Sequence, residues 1–89
     1  MLVRWPHAGE DGERHWQREA VELKVWGPGK GDPLGQGLRQ LEGYLDRLGM
    51  DRGTLVVFDR RPDAEELEQR TRFDSTRTAK GYEVVVLRA

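Results

Sequence analysis

Arg18-Glu19-Ala20-Val21-Glu22-Leu23-Lys24-Val25-Trp26 is the stretch on which the fold turns. Strand side chains alternate between faces, so Val21, Leu23 and Val25 share one face and Ala20, Glu22, Lys24 and Trp26 project from the other. The run reads as a buried strand, yet it carries a carboxylate and an ammonium at its centre. An unpaired buried charge is costly, and even a paired one seldom outperforms an apolar substitute. Glu22 and Lys24 together therefore point to a site.

Downstream, Gly27-Pro28-Gly29-Lys30-Gly31 breaks the strand, and Asp32-Pro33 offers a helix N-cap followed by proline at the first helical position. Leu34, Leu38, Leu41, Leu45 and Leu48 then recur at alternating spacings of four and three, predicting an amphipathic helix ended by Gly49. Gly35, Gly37 and Gly43 each cost that helix about 1 kcal/mol relative to alanine, so packing on a sheet must hold it. Thr54 to Asp59 is almost continuously apolar and predicts a strand buried on both faces. A helix between two strands makes them parallel neighbours with a right-handed crossover.

Upstream, Leu2 to Trp5 predicts a strand stopped by Pro6, and Trp16 to Trp26 pairs with it antiparallel across a polar link from His7 to His15. Beyond Asp59 the chain predicts a loop through Asp63 and a short acidic helix over Ala64 to Gln69. A terminal hairpin follows, with Thr71 to Thr76 and Tyr82 to Leu87 flanking Ala79-Lys80-Gly81. The fold class is α/β, a mixed central sheet with an amphipathic crossover helix.

The 89 residues allow one domain. Cysteine is absent, which excludes a disulfide framework and a thiolate metal site and fits a cytoplasmic setting. No run reaches the roughly 18 apolar residues that would span a bilayer. Charged residues make up 35% of the chain but cancel to a net charge of −1, so bulk electrostatics do not announce a strong nonspecific DNA binder. Twelve arginines stand against three lysines, which singles out Lys24; Lys30 and Lys80 sit in glycine-flanked turns and read as solvated.

Glu22-Leu23-Lys24 is the only Asp/Glu-x-Lys in the chain. In a functional reading Glu22 ligates Mg²⁺, a hard cation that takes carboxylate oxygen and keeps several waters. Lys24 then orients or deprotonates the attacking water or stabilises developing charge. The plain alternative is an exposed ion pair. Gln40 and Tyr44, four apart with Gln36 one turn earlier, share a helix face and can hydrogen-bond a phosphate, although spacing alone favours a boundary glutamine and a packed tyrosine with its hydroxyl in solvent. Trp5, Trp16 and Trp26 read as core-closing residues, and the arginines at 60, 61, 70, 72 and 77 as a solvated face.

Glu22-Leu23-Lys24 at the end of a strand, then a turn and a helix bearing Gln40-Leu41-Glu42-Gly43-Tyr44, resembles the PD-(D/E)XK nuclease superfamily, especially the RecB-like and lambda-exonuclease-like members with a trailing Gln-x-x-x-Tyr motif. Glu22 to Trp26, Gln40 to Leu45 and Val57-Phe58-Asp59-Arg60-Arg61 look more closely like the C-terminal nuclease-like domain at the end of some bacterial AAA-ATPase-like proteins. The resemblance implies a partial restriction-endonuclease-like core over residues 1–89, at the C-terminal end of a longer protein with an ATPase region before it. It implies Mg²⁺- or Mn²⁺-dependent hydrolysis of DNA, with Glu22 as metal ligand and Glu22, Lys24, Gln40 and Tyr44 as catalytic residues. It places a first metal-binding aspartate at or just before Met1, where this chain has no acid; Glu10, Asp11 and Glu13 fall in the polar link. The alternative is a non-catalytic binding, regulatory or homodimerising module derived from the same fold.

Overall fold

Val21 to Val25, Leu55 to Val57 and Val84 to Val86 are rich in β-branched and apolar residues, the composition that suits a pleated surface packed against a helix. The computed structural model describes residues 1–8, 14–62 and 71–89, with side chains over 1–4, 18–62 and 71–89. Its elements are β1 (Leu2–Ala8), β2 (Arg14–Trp26), α1 (Leu34–Leu48), β3 (Arg52–Asp59), β4 (Arg72–Arg77) and β5 (Glu83–Arg88). The five strands form one sheet in the order β1-β2-β3-β5-β4. β2, β3 and β5 run parallel to their neighbours among themselves, while β1 and β4 close the two edges antiparallel. The mixed sheet, the crossover helix between β2 and β3 and the terminal hairpin agree with the sequence expectation.

α1 lies on one face of this sheet. Its Leu41 and Leu45 join Ala20, Leu55, Val57, Val84 and Val86 in the buried core, with Leu34, Leu38 and Leu48 packed around them. Each such side chain contributes about 1.5 to 3 kcal/mol when fully buried. Gly49 ends the helix in the left-handed conformation, at φ 67°, and the Met50 N–H donates to the Leu45 carbonyl at 3.0 Å. This is the glycine stop that the sequence predicts.

Several expectations are corrected. β1 continues through Pro6 to Ala8, because an edge strand tolerates a residue with no N–H to donate. β2 starts two residues earlier than expected, at Arg14. The helix cap shifts by one: Pro33 occupies the cap position, and Asp32 Oδ1 accepts the Leu34 N–H at 3.0 Å. β3 is buried on one face only, with Gly53, Leu55 and Val57 inside and Phe58 exposed, since no element among the described residues covers the other face. The expected helix over 64–69 and the acids at 10, 11 and 13 lie outside the described residues. Within the described residues, no helix is long and apolar enough to cross a membrane.

Candidate functional site

The two faces of β2 have the reverse of the roles that its alternation predicts. Ala20, Glu22, Lys24 and Trp26 face the helix; Leu23 and Val25 are the exposed ones, at 49% and 56%. The charges sit under α1 because the helix offers them a place there. At Gly37 the helix backbone comes so close that an added Cβ would lie 2.8 Å from Leu55 Cδ1 and 3.2 Å from Lys24 Cγ. The aliphatic stem of Lys24 thus runs against a bare helix turn, which lets a long charged side chain lie half-buried without displacing the core.

β1 pairs with β2 from Leu2 opposite Ala20, and the Met1 backbone exchanges hydrogen bonds with Val21 at 2.6 and 2.7 Å. Past that point β2 pairs only with β3 among the described residues. An open recess of about 430 Å³ forms there, between the end of β1, β2 and the flank of α1. Glu22 lines it, as do Gln40 and Tyr44, together with Met1, Arg39, Gly43 and Arg47. Sequence spacing placed Gln40 and Tyr44 on one helix face; the crossover brings that face over Glu22. Lys24 shares the strand face of Glu22 but is not among the residues that line the recess. Neither Glu22 nor Lys24 forms an ion pair among the described residues, so the plain alternative of a surface salt bridge between them is corrected.

The recess mixes one carboxylate, two guanidinium groups, an amide and a phenol. That donor set does not fit a resident divalent cation: Glu22 is its only carboxylate, and no cluster of three or more His, Cys, Asp or Glu occurs among the described residues. Two arginines against one glutamate suit an anion. Arg39 and Arg47 were not singled out from sequence. Their signal was present, because 39, 43 and 47 are spaced by four and so climb one face beside Gln40 and Tyr44. No family model, curated protein or solved structure matches the chain. Its function must therefore be argued from the recess.

Two neighbouring clusters look chemical but are occupied structurally. Arg61 stacks on Trp26, 3.5 Å from the ring centroid, and forms a two-pronged pair with Asp59, with Nε donating to Oδ1 at 2.9 Å and Nη2 to Oδ2 at 2.6 Å. Trp26 Nε1 donates to the Lys30 carbonyl at 2.8 Å, and Arg88 reaches Asp32 at 3.0 Å. Arg61 is thus no solvated face, and Trp26 packs against the core as expected, with the Arg61 guanidinium over its ring; the side chains of residues 5 and 16 lie outside the described residues.

On the opposite flank of α1, Lys80 is the exposed turn lysine that the sequence predicts, and it is also paired. Its backbone N–H donates to Glu42 Oε2 at 2.8 Å, and its ammonium donates to Asp46, which also accepts the Tyr82 hydroxyl. Hydrogen bonds from Thr78 and Lys80 hold Glu42 below its ordinary carboxylate range, and those from Lys80 and Tyr82 do the same for Asp46. Asp46 in turn raises both Lys80 and Tyr82. This cluster docks the β4–β5 turn on the helix.

Proposed function

We propose that the chain is a nuclease-like domain whose recess holds a phosphodiester of DNA. The observation that carries this is the convergence of Glu22, Gln40 and Tyr44, from a strand and a helix apart in sequence, on one recess with excess positive charge. Gln40 and Tyr44 hydrogen-bond phosphate oxygens without adding charge, and Lys24 stands two residues from Glu22 on the same strand face. Glu22 is the one carboxylate that the recess would offer a Mg²⁺-class ion, which would polarise a phosphate oxygen when bound, so the recess residues account for holding the phosphodiester more fully than for cutting it. The resemblance to PD-(D/E)XK nucleases supports the same reading, and the ATPase region it implies remains part of the proposal. Incubation of single-stranded and plasmid DNA with Mg²⁺ or Mn²⁺ tests it. Cutting that disappears in Lys24→Ala and Glu22→Gln is the expected result for an active domain, and equal cutting by wild type and Lys24→Ala ends the assignment of these residues.

A second reading, a dimerising module, is favoured by the face opposite α1. Val3, Leu23, Val25, Phe58, Phe73 and Val85 are all exposed there, with Phe73 at 70%. Together they leave bare on the order of 500 Å² of apolar surface, toward the upper end of the largest patch on a soluble monomer. A second copy brings an equal area, and with its polar rim of Glu19, Arg52, Arg77 and Glu83 the face approaches the roughly 800 Å² per partner of a stable interface.

A further inference from the structure

α1 keeps two glycines that its packing does not require. A Cβ at Gly37 would strike Leu55, but a Cβ at Gly35 would meet only Arg39 Nη1 at 3.5 Å, and one at Gly43 only Arg47 Nη1 at 3.9 Å, both ordinary contacts. Each of these glycines nevertheless costs a helix about 1 kcal/mol against alanine. Each stands four residues before an arginine, so each guanidinium lies back over a bare turn of helix. Both arginines line the recess and are exposed, and neither forms an ion pair among the described residues. Arg47 keeps a second contact, its guanidinium 5.7 Å from the Tyr44 ring centroid, which steadies it beside the recess.

We infer that Arg39, Gly43 and Arg47 form a backbone clamp for a nucleic-acid strand, the two guanidinium groups gripping the phosphates on either side of the one nearest Glu22 and the bare turn at Gly43 letting the strand approach the helix. This rests on the phosphodiester reading of the recess and deepens it by naming a polyanionic strand, not a mononucleotide, as the ligand. Eight residues at 1.5 Å separate the two arginine positions by about 12 Å along the helix, more than one phosphate spans. Arginine suits the task because its planar fork binds phosphate oxygens bidentately. Gly43 suits it because a backbone without Cβ admits close approach of a ligand. Between the arginines, Gln40 and Tyr44 stand beside the phosphate that lies nearest Glu22.

The test uses a fluorescently labelled single-stranded oligonucleotide and the full chain in EDTA, so binding is read without hydrolysis. Wild type is expected to bind at low salt, with log affinity falling as log salt rises. Arg39→Gln with Arg47→Gln should lose about tenfold or more in affinity and flatten that slope by about 1.4, about 0.7 for each single-strand phosphate contact removed. Gly43→Ala should bind several-fold more weakly while its melting temperature rises, which separates lost contact from lost fold. No binding by wild type, an unchanged slope in the double arginine variant, unchanged affinity in Gly43→Ala, or competition by a mononucleotide as strong as by the oligonucleotide would each overturn the clamp. Absence of cutting in the metal-dependent assay would sink the nuclease reading while leaving this result standing.

Discussion

Gly37 is the residue at which helix and sheet touch most closely, and it separates two kinds of glycine in one helix. Gly37→Ala places a methyl 2.8 Å from Leu55, a fully buried side chain with nowhere to move. We expect it to destabilise the fold by about 1 to 3 kcal/mol in a denaturant titration despite the better helix propensity of alanine. Gly35→Ala meets nothing but the end of Arg39 and should stabilise by up to about 1 kcal/mol. If both variants shift the midpoint in the same direction, the close approach at Gly37 is wrong. Sequence reasoning priced the three glycines alike, because propensity is local and the neighbour that makes Gly37 different, Leu55, comes from another element. Lys24 was visible as the odd lysine for a sound local reason, its place on a strand, whereas its bed against Gly37 was not.

At the scale of elements, the polar flank of α1 fastens the terminal hairpin through Glu42 and Asp46 to Lys80 and Tyr82. The two carboxylates titrate below their ordinary values in the folded protein, so the unfolded chain binds more protons as pH falls. Their stabilisation is present above the ordinary carboxylate range and is lost as pH drops through the lowered folded values. Lys80 and Tyr82 are raised, so their share is present below their ordinary values and lost as pH climbs through the folded ones. Amide protection at the β4–β5 turn, corrected for the intrinsic pH dependence of exchange, should therefore be greatest between those limits and fall at both extremes, on the acid side as pH drops below the ordinary carboxylate range. Asp46→Asn should flatten the acid limb; an unaltered profile in that variant would show that the contact carries no coupling. The helix itself was legible from five leucines and a terminal glycine. The docking was not, since residues 42 and 46 pair with 80 and 82 only after the sheet brings them together.

Among the described residues, the sheet has α1 on one face and no element on the other. Light scattering across a concentration range should show self-association, and Leu23→Lys with Val25→Lys should return a monomer while leaving the recess on the other face unchanged. A clean monomer of wild type at high concentration would dispose of the dimer reading. A sequence with alternating charges and valines predicts two faces well. It does not say which face the helix chooses, and here the helix took the charged one.

Strand and helix order, the parallel crossover from β2 to β3 and the leucine face of α1 were all legible in the linear chain, which also drew Glu22, Lys24, Gln40 and Tyr44 out as candidates. These follow from period, capping and glycine placement, which act over one or two turns of chain. It took the assembled sheet and helix to bring Glu22, Gln40 and Tyr44 to one recess flanked by Arg39 and Arg47, to lay Lys24 against Gly37, and to hold Arg61 and Lys80 on Asp59 and Asp46. The physical reason is that partners for charge are chosen across elements, where distance along the chain carries no information until the sheet is built.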